Sequence, residues 1–289
     1  TLRILAMGRA DPCLRADGPE RVRVALAGPD GPVALLFRRR GERLRVRARD
    51  TRESEIRAWL PGLLGLEVPT PEFREPAGVV RLTRDFHGLR LPRVPFITPR
   101  LVRVILQQLI TVRDAYVGWG RLVRAEGHPI AGAEDLIAPP SMERLARLPV
   151  ADYVARSILP RHARVIREVA RRAPALEAAW GAGLLPDAAE DTDRLLAAIP
   201  GVGPWTRSLL RGMAMGDQDV LLRGDDSLPR HVVHYLTGAT DGAADRMEAL
   251  LEPFRPFRFL VATWIMKSGV RAPRRGPRGP EHRERHRGD

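Results

Sequence analysis

Two periodicities divide the chain. Polar and apolar residues alternate in Arg21-Val22-Arg23-Val24-Ala25-Leu26 and again in Arg43-Leu44-Arg45-Val46-Arg47-Ala48, with the apolar run Val33-Ala34-Leu35-Leu36-Phe37 between them. Turn residues at 28–32 and 40–42 separate the runs. A period of two bounded by turns predicts antiparallel strands with one polar face. Residues 53–60 predict a short helix ended by Pro61-Gly62. From Thr98 onward the period is helical. Thr98 is the expected cap and Pro99 the first helical residue, with Leu101, Ile105, Leu109 and Val112 on one face. Further helices are expected from Ser141, over 158–173 (basic, broken near Pro160 and ended by Pro174), 192–198, 204–215, 243–251 and 258–268. The fold class is therefore α+β. A small N-terminal antiparallel β-sheet domain (1–92) precedes an all-helical core (93–271). Residues 272–289, rich in Arg, Gly and Pro, are expected to form a disordered basic tail.

Charge adds a partner class. The 289 residues carry a formal net charge of +13 and a sequence pI of about 11.3, which favours a polyanion. Almost all of the positive charge is Arg; Lys267 is the only lysine. Abundant Ala, Gly, Pro and Arg with no Asn suggest a GC-rich genome, which accounts for Arg over Lys but not for the sign of the net charge. The outward Arg residues of the strands are expected to be a solvated face, with contact to DNA as the less favoured alternative. Cys13 is the only cysteine, so neither an intrachain disulfide nor a cysteine-ligated cluster is available. No apolar stretch approaches transmembrane length and no signal-peptide pattern is present, so the expected location is cytoplasmic and nucleoid-associated.

Candidate chemistry lies in the C-terminal third. Ile199-Pro200-Gly201-Val202-Gly203-Pro204-Trp205-Thr206 joins two helical segments by a tight turn. Glycine there allows close approach of another backbone, and the N–H groups opening the next helix make an anion site suited to a DNA phosphate. Asp225-Asp226 follows at the next predicted helix start. A carboxylate there stays ionised, as the helix dipole favours. Asp225 is expected to be the cap, a role that Asn also fills.

Residues 195–206, the stretch Gly216-Asp217-Gln218-Asp219-Val220, Asp225-Asp226 and the segment 101–112 together resemble the helix-hairpin-helix DNA glycosylases. Within them the likeness is to bacterial 3-methyladenine DNA glycosylase II. That resemblance implies a monofunctional glycosylase that hydrolyses the N-glycosidic bond of damaged, alkylated purines and leaves an abasic site in base excision repair. It implies Asp226 as the catalytic carboxylate and a base pocket of Trp205, Leu209, Met266 and Gln108. Leu109 would be the wedge that fills the gap left by a flipped nucleotide. Gly201, Val202, Gly203, Trp205 and Thr206 would hold the phosphate, and the carbonyls of Ala197, Ile199 and Val202 a Na+ or K+; no other cofactor is implied. The partner would be double-stranded DNA containing a damaged base, bound by a monomer without membrane contact. Trp205 stands where glycosylase-lyases carry a catalytic lysine, which disfavours Schiff-base chemistry. Leu209 and Met266 replace aromatic residues and leave hypoxanthine or uracil open as lesions. A noncatalytic damage-sensing protein of the same fold is the alternative of another class.

Overall fold

A computed structural model describes residues 1–28, 30–49, 51–68, 70–240 and 244–273; the expected basic tail lies almost wholly outside them. Four strands, β1 (Leu14–Ala16), β2 (Arg21–Gly28), β3 (Gly31–Arg40) and β4 (Arg43–Arg49), form an antiparallel sheet in chain order. Register places Phe37 between Val22 and Val46, and Leu35 between Val24 and Ala48. Alternation then turns this apolar set inward and the arginines outward.

Helices α1 (Glu53–Leu63) and α2 (Ala77–Asp85) follow. The first runs past its expected stop with Pro61 inside, because Leu64 still donates to Leu60. Next come α3 (Thr98–Ile105), α4 (Val112–Glu126), the hairpin β5 (His128–Ile130) and β6 (Ala133–Ala138), α5 (Met142–Arg147), α6 (Val150–Ala155), α7 (Pro160–Arg171) and α8 (Ala173–Trp180). The last five are α9 (Ala188–Ala197), α10 (Pro204–Ala214), α11 (Leu228–Thr237), α12 (Ala244–Leu251) and α13 (Arg258–Lys267).

Several expectations are corrected. Thr98 does not cap α3; the carboxylate of Glu177 does, accepting the N–H groups of Ile97 (3.1 Å) and Thr98 (2.8 Å) as well as the Thr98 hydroxyl. Pro160 opens α7 rather than breaking it, and Pro174 sits in the first turn of α8 rather than ending a helix. At both positions the missing N–H is one that a helix start leaves unbonded anyway. The segment 101–112 is not one helix: α3 stops at Ile105 and α4 begins at Val112.

Two buried clusters make the core. One joins the inner sheet face to α3, α4, α7 and α10; the other joins α2 to α11, α12 and α13. Core packing therefore crosses the boundary expected at residue 92. Asp11, fully buried, pins the N-terminal segment to α3 and α4. It accepts the amides of Met7 (2.7 Å) and Cys13 (2.9 Å) and the indole N–H of Trp119 (3.0 Å), and pairs with Arg103 at 3.4 Å. Burial alone would raise its carboxyl pKa; Arg103 and the three N–H donors outweigh that and hold it below the usual range. This network fixes the back of α3, whose far end carries the exposed Leu109 turn.

Candidate DNA-binding and base-release site

The hairpin is built by backbone turns on buried anchors. Ile199 donates to Leu196 (3.1 Å) and Val202 to Ile199 (3.0 Å), while the side chains of Ile199 and Val202 are buried. Gly201 has φ +88, and a Cβ there would lie 2.4 Å from Val165 Cγ2 of α7. Glycine is needed at 201 on both counts. Gly203 is different: no protein atom lies within 4 Å of its would-be Cβ. Its lack of a side chain leaves the outward side of the turn open. Pro204 opens α10, so the amides of Gly203, Trp205 and Thr206 have no partner within the helix, the arrangement that suits an anion at a helix start.

The turn after α3 faces the hairpin. Leu109 has φ 54 and is 86% exposed. A bulky side chain in the left-handed region costs of order 1–3 kcal/mol and persists only where surroundings over-determine it. Here three side chains do so. Gln108 Nε2 donates to the Gly201 carbonyl (2.9 Å) and to Thr206 Oγ1 (2.8 Å). His162 Nε2 lies 2.9 Å from the Gln108 carbonyl, and Arg161 donates to the Leu109 carbonyl (3.3 Å). A carbonyl only accepts, so Nε2 carries the proton; Nδ1 is buried without a partner among the described residues. Desolvation pushes the His162 pKa down, the Gln108 carbonyl opposes this and Arg161 adds to it, leaving a net lowering. The ring is thus held neutral as a donor.

Two of the expected ligand contacts meet each other. The Gln108 amide nitrogen locks the Leu109 turn to the hairpin. Thr206 is buried and its hydroxyl receives that lock, so only its N–H is left for a phosphate. His162 and Arg161 had no local sequence signal beyond membership of a basic helix. Between the N-terminal segment and α4, a groove of about 500 Å³ is lined by Arg9, Arg113, Tyr116, Arg121 and Arg124.

The acidic turn lies across α10. Asp225 Oδ1 accepts the amides of Ser227 (3.0 Å) and Leu228 (2.8 Å), capping α11. Its Oδ2 accepts the indole N–H of Trp205 at 3.0 Å. Asn therefore cannot simply replace it: with the amide oxygen on the backbone, its NH2 would meet the indole donor. Asp226 is exposed and accepts no hydrogen bond from the described residues. Trp205 and Leu209, one turn apart on α10, pack half-buried at the seam of the two cores, and Met266 packs against the second. Close packing of Gly212 on Phe259 brings α10 and α13 together behind them. Trp264 is fully buried and so does not face the seam's surface.

An exposed leucine on a constrained turn, tied to a glycine hairpin and flanked by an acidic helix start, sits on a fold shared with known structures. A 3-methyladenine DNA-glycosylase from Archaeoglobus fulgidus superposes with a TM-score of 0.71 at 21% identity, covering 86% of this chain and 87% of its own. This is the helix-hairpin-helix DNA glycosylase fold. The 8-oxoguanine glycosylase/lyase of Clostridium acetobutylicum, in complex with double-stranded DNA containing cytosine opposite 8-oxoG, gives a TM-score of 0.67 at 14% identity over 93% of this chain and 91% of its own. Among curated proteins, the probable bifunctional transcriptional activator/DNA repair enzyme AlkA of Mycobacterium tuberculosis is 32% identical over 144 residues. That match covers 48% of this chain and 27% of the AlkA chain, so the chain spans about a quarter of the relative's length. No protein-family model matches. Among the described residues, no helix is long and apolar enough to cross a membrane, and no cluster of His, Cys, Asp or Glu is placed to hold a metal ion.

Proposed function

We propose that this chain is a monofunctional DNA glycosylase acting on alkylated purines in duplex DNA. The observation that carries this is the Leu109 turn: an exposed leucine in a strained backbone, bolted through Gln108 to the hairpin that would grip the phosphate. Such a wedge has a use only where a base leaves the stack and the gap must be filled. The fold's neighbours and the AlkA match support the same reading.

The amides of Gly203, Trp205 and Thr206 hold a phosphate, while Arg9, Arg113, Arg121 and Arg124 attract flanking backbone. Leu109 enters the duplex and the lesion turns out toward Trp205, whose indole stacks on a cationic alkylpurine. A base that already bears positive charge leaves without protonation. Asp226, exposed and free of donors among the described residues, stabilises the positive charge developing on the deoxyribose and aligns the attacking water. The carbonyls of Ala197, Ile199 and Val202 would be the ligands of a Na+ or K+; that of Ile199 accepts the Val202 amide and keeps a second lone pair. Such an ion would add positive charge beside the phosphate.

No amine stands at position 205. Lys267 lies on α13, where its pKa is lowered by desolvation and by Arg100 and Arg271. None of its charged neighbours belongs to the hairpin or the acidic turn, which favours hydrolysis over lyase chemistry. One observation favours a second assignment of the acid: Asp225, not Asp226, touches Trp205.

The wedge is tested by Leu109→Ala. Single-turnover base release should fall about tenfold or more on duplex and far less on single strands, with melting temperature unchanged. Equal losses on both substrates would show that Leu109 does not act as a wedge.

A further inference from the structure

The outer face of the N-terminal sheet carries a lattice of arginines that the site does not use. Register puts Arg38 opposite Arg45, Arg40 opposite Arg43, and Arg47 beside Leu36. All five arginines are exposed, and none makes an ion pair or a hydrogen bond within the described residues. Their neighbours on the same face are otherwise matched. Arg21 and Arg23 pair with Asp17, Arg15 and Arg23 with Asp135, and Arg49 donates to the Ala131 carbonyl. The β5–β6 hairpin covers the other end of the face, where Ala25 and Ala34 pack on Ile130, Leu136 and Ala138. Glu20 and Glu42, in the turns before β2 and β4, are exposed and make no ion pair among the described residues.

An ordinary solvated sheet face mixes both signs, and like charges directly opposite one another destabilise a strand pair. Here Arg38 stands between Arg21 and Arg45, and Arg40 stands opposite Arg43, on an otherwise regular sheet. A bound polyanion removes that cost. The geometry is that of a rigid platform: alternate residues along β4 lie about 6.6–6.8 Å apart and adjacent strands about 4.8 Å apart. Guanidinium forks at these spacings suit successive backbone phosphates better than a single small anion. Membrane-surface binding calls for apolar side chains to insert beside the charges. The platform offers only the half-buried Leu36.

We propose that Arg38, Arg40, Arg43, Arg45 and Arg47 form a second, sequence-independent nucleic-acid-binding surface, separate from the hairpin–wedge site. It rests on the glycosylase reading only in that DNA is the same partner. It holds undamaged duplex by phosphate contacts and raises the time the protein spends on DNA between lesions.

The test compares the full chain with Arg43→Gln/Arg45→Gln/Arg47→Gln, which keeps the aliphatic stems. Affinity for an undamaged duplex is measured from about 50 to 200 mM salt. Each phosphate that is no longer neutralised should flatten the log–log slope by about 0.9, up to about 2.7 for the triple variant. Arg38→Gln/Arg40→Gln on the neighbouring strand should flatten it by up to about 1.8. Base release from a short lesion duplex should stay within about twofold of wild type, and melting temperature should hold or rise as repulsion is relieved. An unchanged slope in both variants overturns the proposal. So does binding of phosphatidylserine vesicles that both variants lose while duplex binding is kept. Should wild type release no base from any lesion, the glycosylase reading fails while the slopes still decide this one.

Discussion

The hairpin–wedge region and the outer sheet face are both suited to an anionic partner, yet they are built in opposite ways. At the hairpin almost every polar atom is committed. Gln108 ties Gly201 to Thr206, His162 and Arg161 hold the Leu109 turn, and Asp225 joins Trp205 to the start of α11. What is left over is small and directional: a few amides, one leucine and one free carboxylate. On the sheet face the backbone is regular and the side chains are loose, with five guanidiniums free of protein partners among the described residues. Committed groups position a substrate within tenths of an ångström, whereas free charges attract without orienting. Mutations in the two regions should therefore differ in kind: geometry and chemistry at the hairpin, salt dependence at the sheet.

The largest effect should come from the acidic turn. Asp226→Asn is expected to lower the single-turnover rate of base release about 10²-fold or more while leaving lesion-DNA affinity equal or slightly tighter. Asp225→Asn should not be silent, because its amide would set a donor against the Trp205 indole. We expect a loss of about 1–3 kcal/mol in stability, read by denaturant melts, with a smaller loss of rate than Asp226→Asn gives. A reversal of the two rate effects would move the chemical role to Asp225.

A smaller effect separates the two glycines. Gly203→Ala leaves the protein packing untouched, since its Cβ meets nothing, but puts a methyl where a phosphate would sit. DNA affinity should fall about tenfold, about 1.4 kcal/mol, at unchanged melting temperature. Unchanged affinity would mean that the hairpin does not grip the backbone. Gly201→Ala should lower stability instead, through its positive φ and the clash with Val165.

The smallest effect is the pH dependence of the wedge turn. The folded pKa of His162 lies below its ordinary value of about 6.5. Below that pH the unfolded chain takes up a proton that the folded turn resists. The stability contributed by the neutral ring is therefore full above pH ~6.5 and is lost as pH falls through the folded value. Melting temperature should drop more steeply between pH ~7 and ~5 in wild type than in His162→Gln. Parallel pH profiles would show that His162 does not couple to the turn.

How far the sequence could be read follows the same division. The hairpin was legible because its cause is local: Pro200, Gly201, Gly203 and Pro204 dictate the turn within a few residues. The inward face of the sheet was legible from alternation alone. The end of α3 was not, because Leu101, Ile105, Leu109 and Val112 satisfy helical spacing. Hydrogen bonds from α7 and the hairpin override that spacing and turn Leu109 outward. Strand β5 carries Pro129 and spans only His128–Ile130, too short for a period to register. Nothing in the local sequence of Gln108 and Thr206 indicates that they bind each other across 98 positions. Nor does sequence indicate that the second oxygen of Asp225 meets Trp205.

The most direct measurement is base release itself. Wild-type protein is incubated with duplexes each carrying one lesion (N3- or N7-alkylpurine, hypoxanthine, uracil) and the strands are analysed before and after alkali, with borohydride present in a parallel series. A monofunctional alkylpurine glycosylase gives alkali-dependent strand breaks at the alkylpurine, none before alkali, and no covalent adduct with borohydride. Breaks without alkali, or an adduct abolished by Lys267→Ala, would contradict the monofunctional mechanism. No base release from any lesion by a protein that binds duplex DNA would contradict the enzyme reading and leave a damage-sensing module.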